Sequence, residues 1–125
     1  MLADRDAVAT VAVKDLAAAK QFYAGVLGLK EVSAAGQEAV TYATGKSTLV
    51  VYRSRYAGTN QATAVNWHVG DDIDRITREL RAKGVTFEHY DMPQLTREGD
   101  VHVAGAMRVA WFKDLDGNIH SLVNQ

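Results

Sequence analysis

Apolar and polar positions alternate along several short segments of the chain, and the first of these is residues 8–13. This alternation predicts a β-strand. Apolar residues then recur at helical spacing in a helix that Asp15 can cap and Gly28 can end, because glycine readily adopts the left-handed conformation. The predicted helical positions are Leu16, Ala19, Phe22, Tyr23 and Val26. Three strands are predicted next, near residues 29–33, 39–43 and 47–54.

The second half of the chain repeats this order. Alternation over residues 62–69 predicts a strand, and Asp71 and Asp72 place negative charge at the start of a second helix. The buried positions of that helix are Ile73, Ile76 and Leu80. Three further strands are predicted over residues 85–89, 107–112 and 118–123, with a turn at Asp116-Gly117. The pattern therefore predicts β-α-β-β-β twice, and its alternative is an unrepeated α+β sandwich.

The second repeat is about a dozen residues longer than the first between its helix and its last strand. This surplus coincides with residues 91–105, a polar stretch that holds the single proline, Pro93, and is predicted to be a loop. The length of 125 residues indicates one domain. We assign unit one to about residues 6–55, a linker to 56–61 and unit two to about 62–125.

Composition and charge exclude several classes of function. Fourteen basic and fifteen acidic residues give a net charge of −1, which argues against a nucleic-acid partner. The absence of cysteine excludes disulfides, cysteine-based metal sites and thiol nucleophiles. No apolar run approaches the ~20 residues of a membrane-spanning helix, and the N-terminus lacks the pattern of a secretory signal. We therefore expect no membrane association and a cytoplasmic location.

Two motifs resemble those of the vicinal oxygen chelate superfamily, which includes glyoxalase, bleomycin-resistance proteins and extradiol dioxygenases. The first comprises Val13-Lys14-Asp15-Leu16, Phe22-Tyr23 and Leu27-Gly28-Leu29. The second, Phe112-Lys113-Asp114-Leu115-Asp116-Gly117-Asn118, is similar to the closing F-x-D-P-D-G-N hairpin, with Leu115 in place of the usual proline. The resemblance implies an α+β fold of two βαβββ units, with curved mixed sheets around a cavity and helices outside. It also implies a homodimer.

Metal-dependent members of the superfamily use four ligands, usually histidine and glutamate. The resemblance places these positions at Val8, Tyr52, Ala64 (or an adjacent residue) and Ser121. Valine and alanine offer no donor atom, and serine and neutral tyrosine are poor ligands for a divalent cation. We therefore predict no metal and no other cofactor.

Strand alternation predicts which side chains face the implied cavity. The candidate ligand-binding residues are Thr10, Tyr52, Asn66, His68, Ser121, Arg108 and Trp111. Arg108 and Trp111 lie on opposite faces of one predicted strand, so alternation lets only one of the two reach the cavity. Among the remaining histidines, His120 points away from the face of Ser121, and His102 is expected in the long loop.

These residues support a primary interpretation and two alternatives. The primary one is a metal-free protein that binds a small organic molecule in the cavity, through shape, aromatic contact and a few hydrogen bonds. The first alternative is a metal-independent isomerase or lyase with His68 as the catalytic general base. The second is a metal-dependent glyoxalase-type lyase or dioxygenase with unconventional ligands, for example His102.

Overall fold

The computed structural model describes all residues, Met1–Gln125, and the chain divides into two compact units, Met1–Thr59 and Asn60–Gln125. Each unit contains one mixed β-sheet and one principal helix. The elements of the first unit are β1 (Ala9–Val13), α1 (Leu16–Lys20, continued by a π-helical turn over Gln21–Val26), β2 (Lys30–Ala35), β3 (Ala39–Thr44) and β4 (Ser47–Arg53).

The first sheet has the strand order β1-β4-β3-β2, in which β1 and β4 are parallel and the other neighbours antiparallel. Alternation puts the apolar side chains of β1, β3 and β4 on one face, and these are buried: Val11, Val13, Val40, Tyr42, Leu49 and Val51. Tyr23 of the π-helical turn stacks on Tyr42 with ring centroids 6.1 Å apart. The opposite face of the sheet carries the more exposed side chains.

The first helix begins and ends as its sequence predicts but changes its geometry midway. The Asp15 carboxylate accepts a hydrogen bond from the Ala18 main-chain nitrogen at 3.2 Å, and Gly28 has φ 73°. After Lys20 the turn widens, and the Leu27 nitrogen donates to the Phe22 carbonyl, five residues back, at 2.9 Å. Tyr23 is fully buried in this wider turn.

The second unit repeats the plan with additional strands. Its elements are β5 (Thr63–His68), a 3₁₀ turn (Gly70–Asp72), α2 (Ile73–Ala82), β6 (Phe87–Glu88), β7 (Thr96–Glu98), β8 (Val101–Ala104), β9 (Met107–Lys113) and β10 (Ile119–Val123). The sheet order is β5-β10-β9-β8-β7, β5 and β10 are parallel, and β6 pairs with the same edge of β9 as β8. Ile73, Thr77 and Leu80 are the buried residues of α2.

The predicted α+β fold of two βαβββ units is confirmed, because both halves show a parallel pair of first and last strands flanked by antiparallel ones. That the sheets surround a cavity stays a prediction. Neither helix has the length and apolar character that crossing a membrane requires.

The prediction that residues 91–105 form a loop is wrong. Most of this stretch is the β7–β8 hairpin, in which Glu98 pairs with Val101 across a two-residue Gly99-Asp100 turn. Gly99 has φ 63°, which this tight turn requires and which side-chain-bearing residues rarely adopt. The polar composition misled because both strands are short and β7 is exposed on every residue.

Candidate ligand-binding site

The second sheet carries a depression of about 710 Å³ on the face that its helix leaves open. Its floor is formed by Asn66, Val109, Trp111 and Ser121, from the three adjacent strands β5, β10 and β9. Its wall is formed by side chains from residues 90–95, which belong to the connection between β6 and β7. We call residues 90–95 the strap. A second depression of about 280 Å³ shares Thr63, Met92 and Trp111 with the first. We call the two together the trough.

Asn66 and Ser121 form the polar centre of the trough floor. They are direct partners in the parallel pairing of β5 and β10, and the Ser121 hydroxyl donates to the Asn66 side-chain oxygen at 2.8 Å. Ser121 is buried, whereas Asn66 is exposed on the floor. The serine hydroxyl thereby orients the asparagine amide, so that its nitrogen, which carries two donors, is available to a ligand.

The other surfaces of the trough are mainly apolar, and no lining residue is charged. The strap contributes Met92, Pro93 and Leu95, and the sheet contributes Val109 and Trp111. Tyr90 and Trp111 meet edge to face, with ring centroids 5.1 Å apart. A neutral molecule with a flat apolar body suits this surface, because an ion would be desolvated without a countercharge.

His102 packs against two aromatic residues of the trough, Trp111 of the floor and Tyr90 of the strap. The structure corrects its predicted position in a loop: His102 lies on β8 and is 1% exposed. Its ring meets Trp111 edge to face at 4.8 Å, and its Nε2 atom accepts a hydrogen bond from the Tyr90 main-chain nitrogen at 2.9 Å. Burial lowers the pKa of the imidazole.

Arg108 and Trp111 have different surroundings. Trp111 lines the trough, whereas the Arg108 guanidinium forms ion pairs with Asp74 and Glu98, both at 2.8 Å. These two carboxylates hold the pKa of Arg108 above its usual range, with the Glu98 hydrogen bond contributing most. Arg108 therefore ties β9 to α2 and β7, and it contributes no charge to the trough.

The remaining candidates lie elsewhere. His68 is exposed at the end of β5 and lines neither depression. Thr10 and Tyr52 belong to the first unit; Thr10 is exposed, and its hydroxyl donates to the Val8 carbonyl at 3.3 Å. The structure thus brings together Asn66, Ser121 and Trp111 of the predicted site residues. Whether any predicted residue binds a ligand or catalyses a reaction stays a prediction.

The other two histidines have partners outside the trough. His120 is fully buried beside Phe112, with stacked rings 4.9 Å apart, and the Trp67 side-chain nitrogen donates to its Nδ1 atom at 3.0 Å. Burial lowers the pKa of His120 to about 4. His89 is exposed and pairs with Asp100 at 2.7 Å.

The residues at the four implied ligand positions do not fit a divalent cation. Val8 and Ala64 have no donor atom, and the Ser121 hydroxyl is engaged with Asn66. Nowhere in the chain do three histidine, aspartate or glutamate side chains come together in a way that could hold a metal ion. That the protein works without a metal stays a prediction.

Sequence reasoning missed the strap and placed His102 in a loop instead of on β8. The available signal was the pair of apolar residues Met92 and Leu95 on either side of Pro93, inside a stretch dismissed as polar. The Gly99-Asp100 dipeptide, typical of a two-residue hairpin, was a second signal that would have placed His102 on a strand.

Comparison with known proteins agrees with this architecture. The family model of the Glyoxalase/Bleomycin resistance protein/Dioxygenase superfamily matches residues 6–121. A search of curated proteins finds no match.

Similar folds occur in solved structures at sequence identities that establish the fold alone. Lactoylglutathione lyase from Agrobacterium tumefaciens is 16% identical, with a TM-score of 0.72 over 96% of this chain and 92% of that chain. The fosfomycin resistance protein FosX from Mesorhizobium loti is 16% identical, with a TM-score of 0.70 over 100% of this chain and 94% of that chain. An integron cassette protein from the mobile metagenome of V. cholerae is 19% identical, with a TM-score of 0.66 over 98% of this chain and 96% of that chain. The repeated βαβββ units and the family match together show that this chain belongs to the glyoxalase/bleomycin resistance protein/dioxygenase superfamily.

Proposed function

We propose that this chain is a metal-free member of its superfamily that binds a neutral, ring-bearing small molecule in the trough. The observation that carries the proposal is the trough itself, which offers about 710 Å³ of mainly apolar surface and no charged side chain. Binding sites for small organic molecules combine an apolar concave surface with a few placed polar groups, and Asn66 and Ser121 supply such groups here.

The orientation of Asn66 specifies the polar feature of the ligand. Because its oxygen is occupied by Ser121, the amide nitrogen favours a hydrogen-bond acceptor such as a carbonyl. Trp111 of the floor and Tyr90 of the strap favour a flat ring packed against them. Anionic ligands, such as phosphonates and carboxylates, lack a cation to pair with and are expected to bind weakly.

The side chains at the four implied metal-ligand positions support the metal-free part of the proposal. The side chains at Val8, Tyr52, Ala64 and Ser121 provide no imidazole or carboxylate, and no other group of potential ligands replaces them. We include a homodimer and a cytoplasmic location as expectations of the proposal, and sedimentation of the purified protein tests the first. No observation favours the alternative in which His68 acts as a general base.

Titration with Nile red, a neutral fluorescent dye with a flat ring system and a carbonyl, tests the proposal. We expect saturable binding that Trp111→Ala weakens at least about tenfold, because truncating a central aromatic contact typically costs about 2 kcal/mol and about 1.4 kcal/mol already corresponds to tenfold. Arg108→Gln is the matched control on the same strand, and its affinity should stay within about twofold of the wild type. Absence of saturable binding, or equal loss in both variants, contradicts the proposal.

A further inference from the structure

The wall of the trough depends on one buried side chain that does not line it. His102 is directly opposite Val109 in the β8–β9 pairing, so both side chains lie on the trough face of the sheet. Its ring centroid lies 4.8 Å from that of Trp111 and 6.2 Å from that of Tyr90. Its Nε2 atom accepts a hydrogen bond from the main-chain nitrogen of Tyr90, the first residue of the strap. One imidazole on β8 thus holds the start of the strap and packs against Trp111 of the trough floor.

The hydrogen bond determines the tautomer of this neutral imidazole. Since Nε2 accepts from the Tyr90 nitrogen, the neutral ring carries its proton on Nδ1. Nδ1 is buried and makes no hydrogen bond of acceptable geometry, although the main chain of Val109 favours a proton on the ring. A buried donor whose hydrogen bond is at best poorly aligned stabilises the fold less than an apolar side chain of similar shape would, so packing alone does not account for a histidine here.

We propose that His102 is a positioning residue whose neutral ring pins the strap and Trp111 in place, and that its protonation opens the trough and weakens ligand binding. This inference rests on the proposed function for its last clause. A doubly protonated imidazole cannot accept from the Tyr90 nitrogen and would place one N–H group against another.

The charges around His102 set the direction of the effect. His89 and Arg97 disfavour a proton on the ring and Asp100 favours one, while Tyr90 and Trp111 contribute uncharged rings. Asp100 is itself paired with His89 and Arg81. Burial is the largest influence, so the pKa lies below its ordinary value, and the ring is neutral at pH 7 and gains its proton only on acidification.

Nuclear magnetic resonance on the full chain tests the attachment without any ligand. In the wild type, we expect the hydrogen-exchange protection of the Tyr90 amide and of the other strap amides to fall about tenfold on acidification. The pH midpoint of this loss should equal the pH midpoint at which the His102 ring titrates. In His102→Gln, whose side-chain oxygen can still accept the hydrogen bond, protection should not change over that range. His89→Gln controls for the neighbouring histidine: strap protection should still fall as His102 titrates, at a higher midpoint because His89 disfavours a proton on that ring.

A parallel Nile red titration tests the functional consequence. Dye affinity should fall about tenfold with the His102 midpoint in the wild type and in His89→Gln, and stay constant in His102→Gln. Strap protection that ignores His102 titration in the wild type overturns the inference, even if His102→Gln fails to fold. If the dye does not bind while the strap opens as described, the proposed function fails and the positioning role of His102 stands.

Discussion

At the scale of single residues, two buried imidazoles lie in the second sheet, one on each face. His102 lies on the trough face, and His120 lies on the helix face between Phe112 and Trp67. Strand alternation predicted the face of His120 from its neighbour Ser121. It could not predict that the ring is fully buried, because burial depends on which side chains of other strands cover it.

Replacing His120 should make the free energy of unfolding depend less on pH between pH 7 and pH 4. The folded-state pKa of about 4 is below the ordinary value of 6.5, so the unfolded chain binds the proton more readily between these values. The contribution of the neutral ring is complete above pH 6.5 and declines as the pH falls toward 4, by up to about 3 kcal/mol. Urea unfolding of His120→Gln between pH 7 and pH 4 should show a shallower decline than the wild type. An identical pH profile in the two proteins would contradict the assignment.

The turn between β9 and β10 should depend on Asp114. Its buried carboxylate accepts from the main-chain nitrogens of Asp116 and Asn118, both at 2.9 Å, and from the Asn118 side chain at 2.8 Å. Asp114→Ala should therefore lower the free energy of unfolding by about 2–3 kcal/mol. Leu115→Ala is the control within the same turn, because Leu115 is exposed; its effect should be below about 0.5 kcal/mol. Equal losses in denaturant titrations of both variants would refute this role.

At the scale of elements, periodicity predicted the strands and helices whose burial is one-sided. The β1 pattern places Val11 and Val13 inside and Thr10 outside, as alternation requires. The β7–β8 hairpin was missed because β7 is exposed on every residue and therefore shows no alternation of apolar and polar positions. Cross-strand pairing stabilises it instead, and three-dimensional pairing is invisible to a local pattern.

The glycine in that hairpin offers a sharp test of element geometry. Gly99→Ala should destabilise the protein by about 1–2 kcal/mol, because alanine strains the φ of 63° that the turn needs. Gly25→Ala is the matched control: Gly25 lies in the first helix, has a negative φ and has open space where a Cβ would be added. That variant should gain about 0.5–1 kcal/mol. Thermal unfolding measures both, and a neutral Gly99→Ala would argue against the turn.

At the scale of the whole molecule, the family motifs predicted the fold but not the chemistry of the site. Motifs such as Asp15-Leu16 and Asp114-Leu115-Asp116-Gly117 mark a helix cap and a hairpin turn, which are structural roles. The trough depends on the β6–β7 strap, whose course follows from tertiary contacts such as the Tyr90–His102 hydrogen bond. The resemblance and strand alternation could point to the floor residues Asn66, Ser121 and Trp111 but not to the lining residues of the strap, so function has to be argued from the site.

Metal independence should be measurable on the intact protein. Purified without chelators, it should contain no stoichiometric metal, and zinc, nickel or manganese should leave its melting temperature unchanged. An ion present at 1,000 times its Kd would stabilise the fold by about 4.1 kcal/mol and raise that temperature by several degrees. A known metal-binding protein carried through the same procedure is the positive control, and a chelator-reversible shift would contradict the prediction.

The hairpin that lengthens the second unit makes the two repeats unequal. The first unit connects β2 to β3 through residues 36–38 and has no counterpart of β7, β8 or the strap. A duplicated architecture would ordinarily suggest paired, equivalent recognition sites. Here the duplication is broken on one side, so the expected binding stoichiometry is a single molecule per polypeptide.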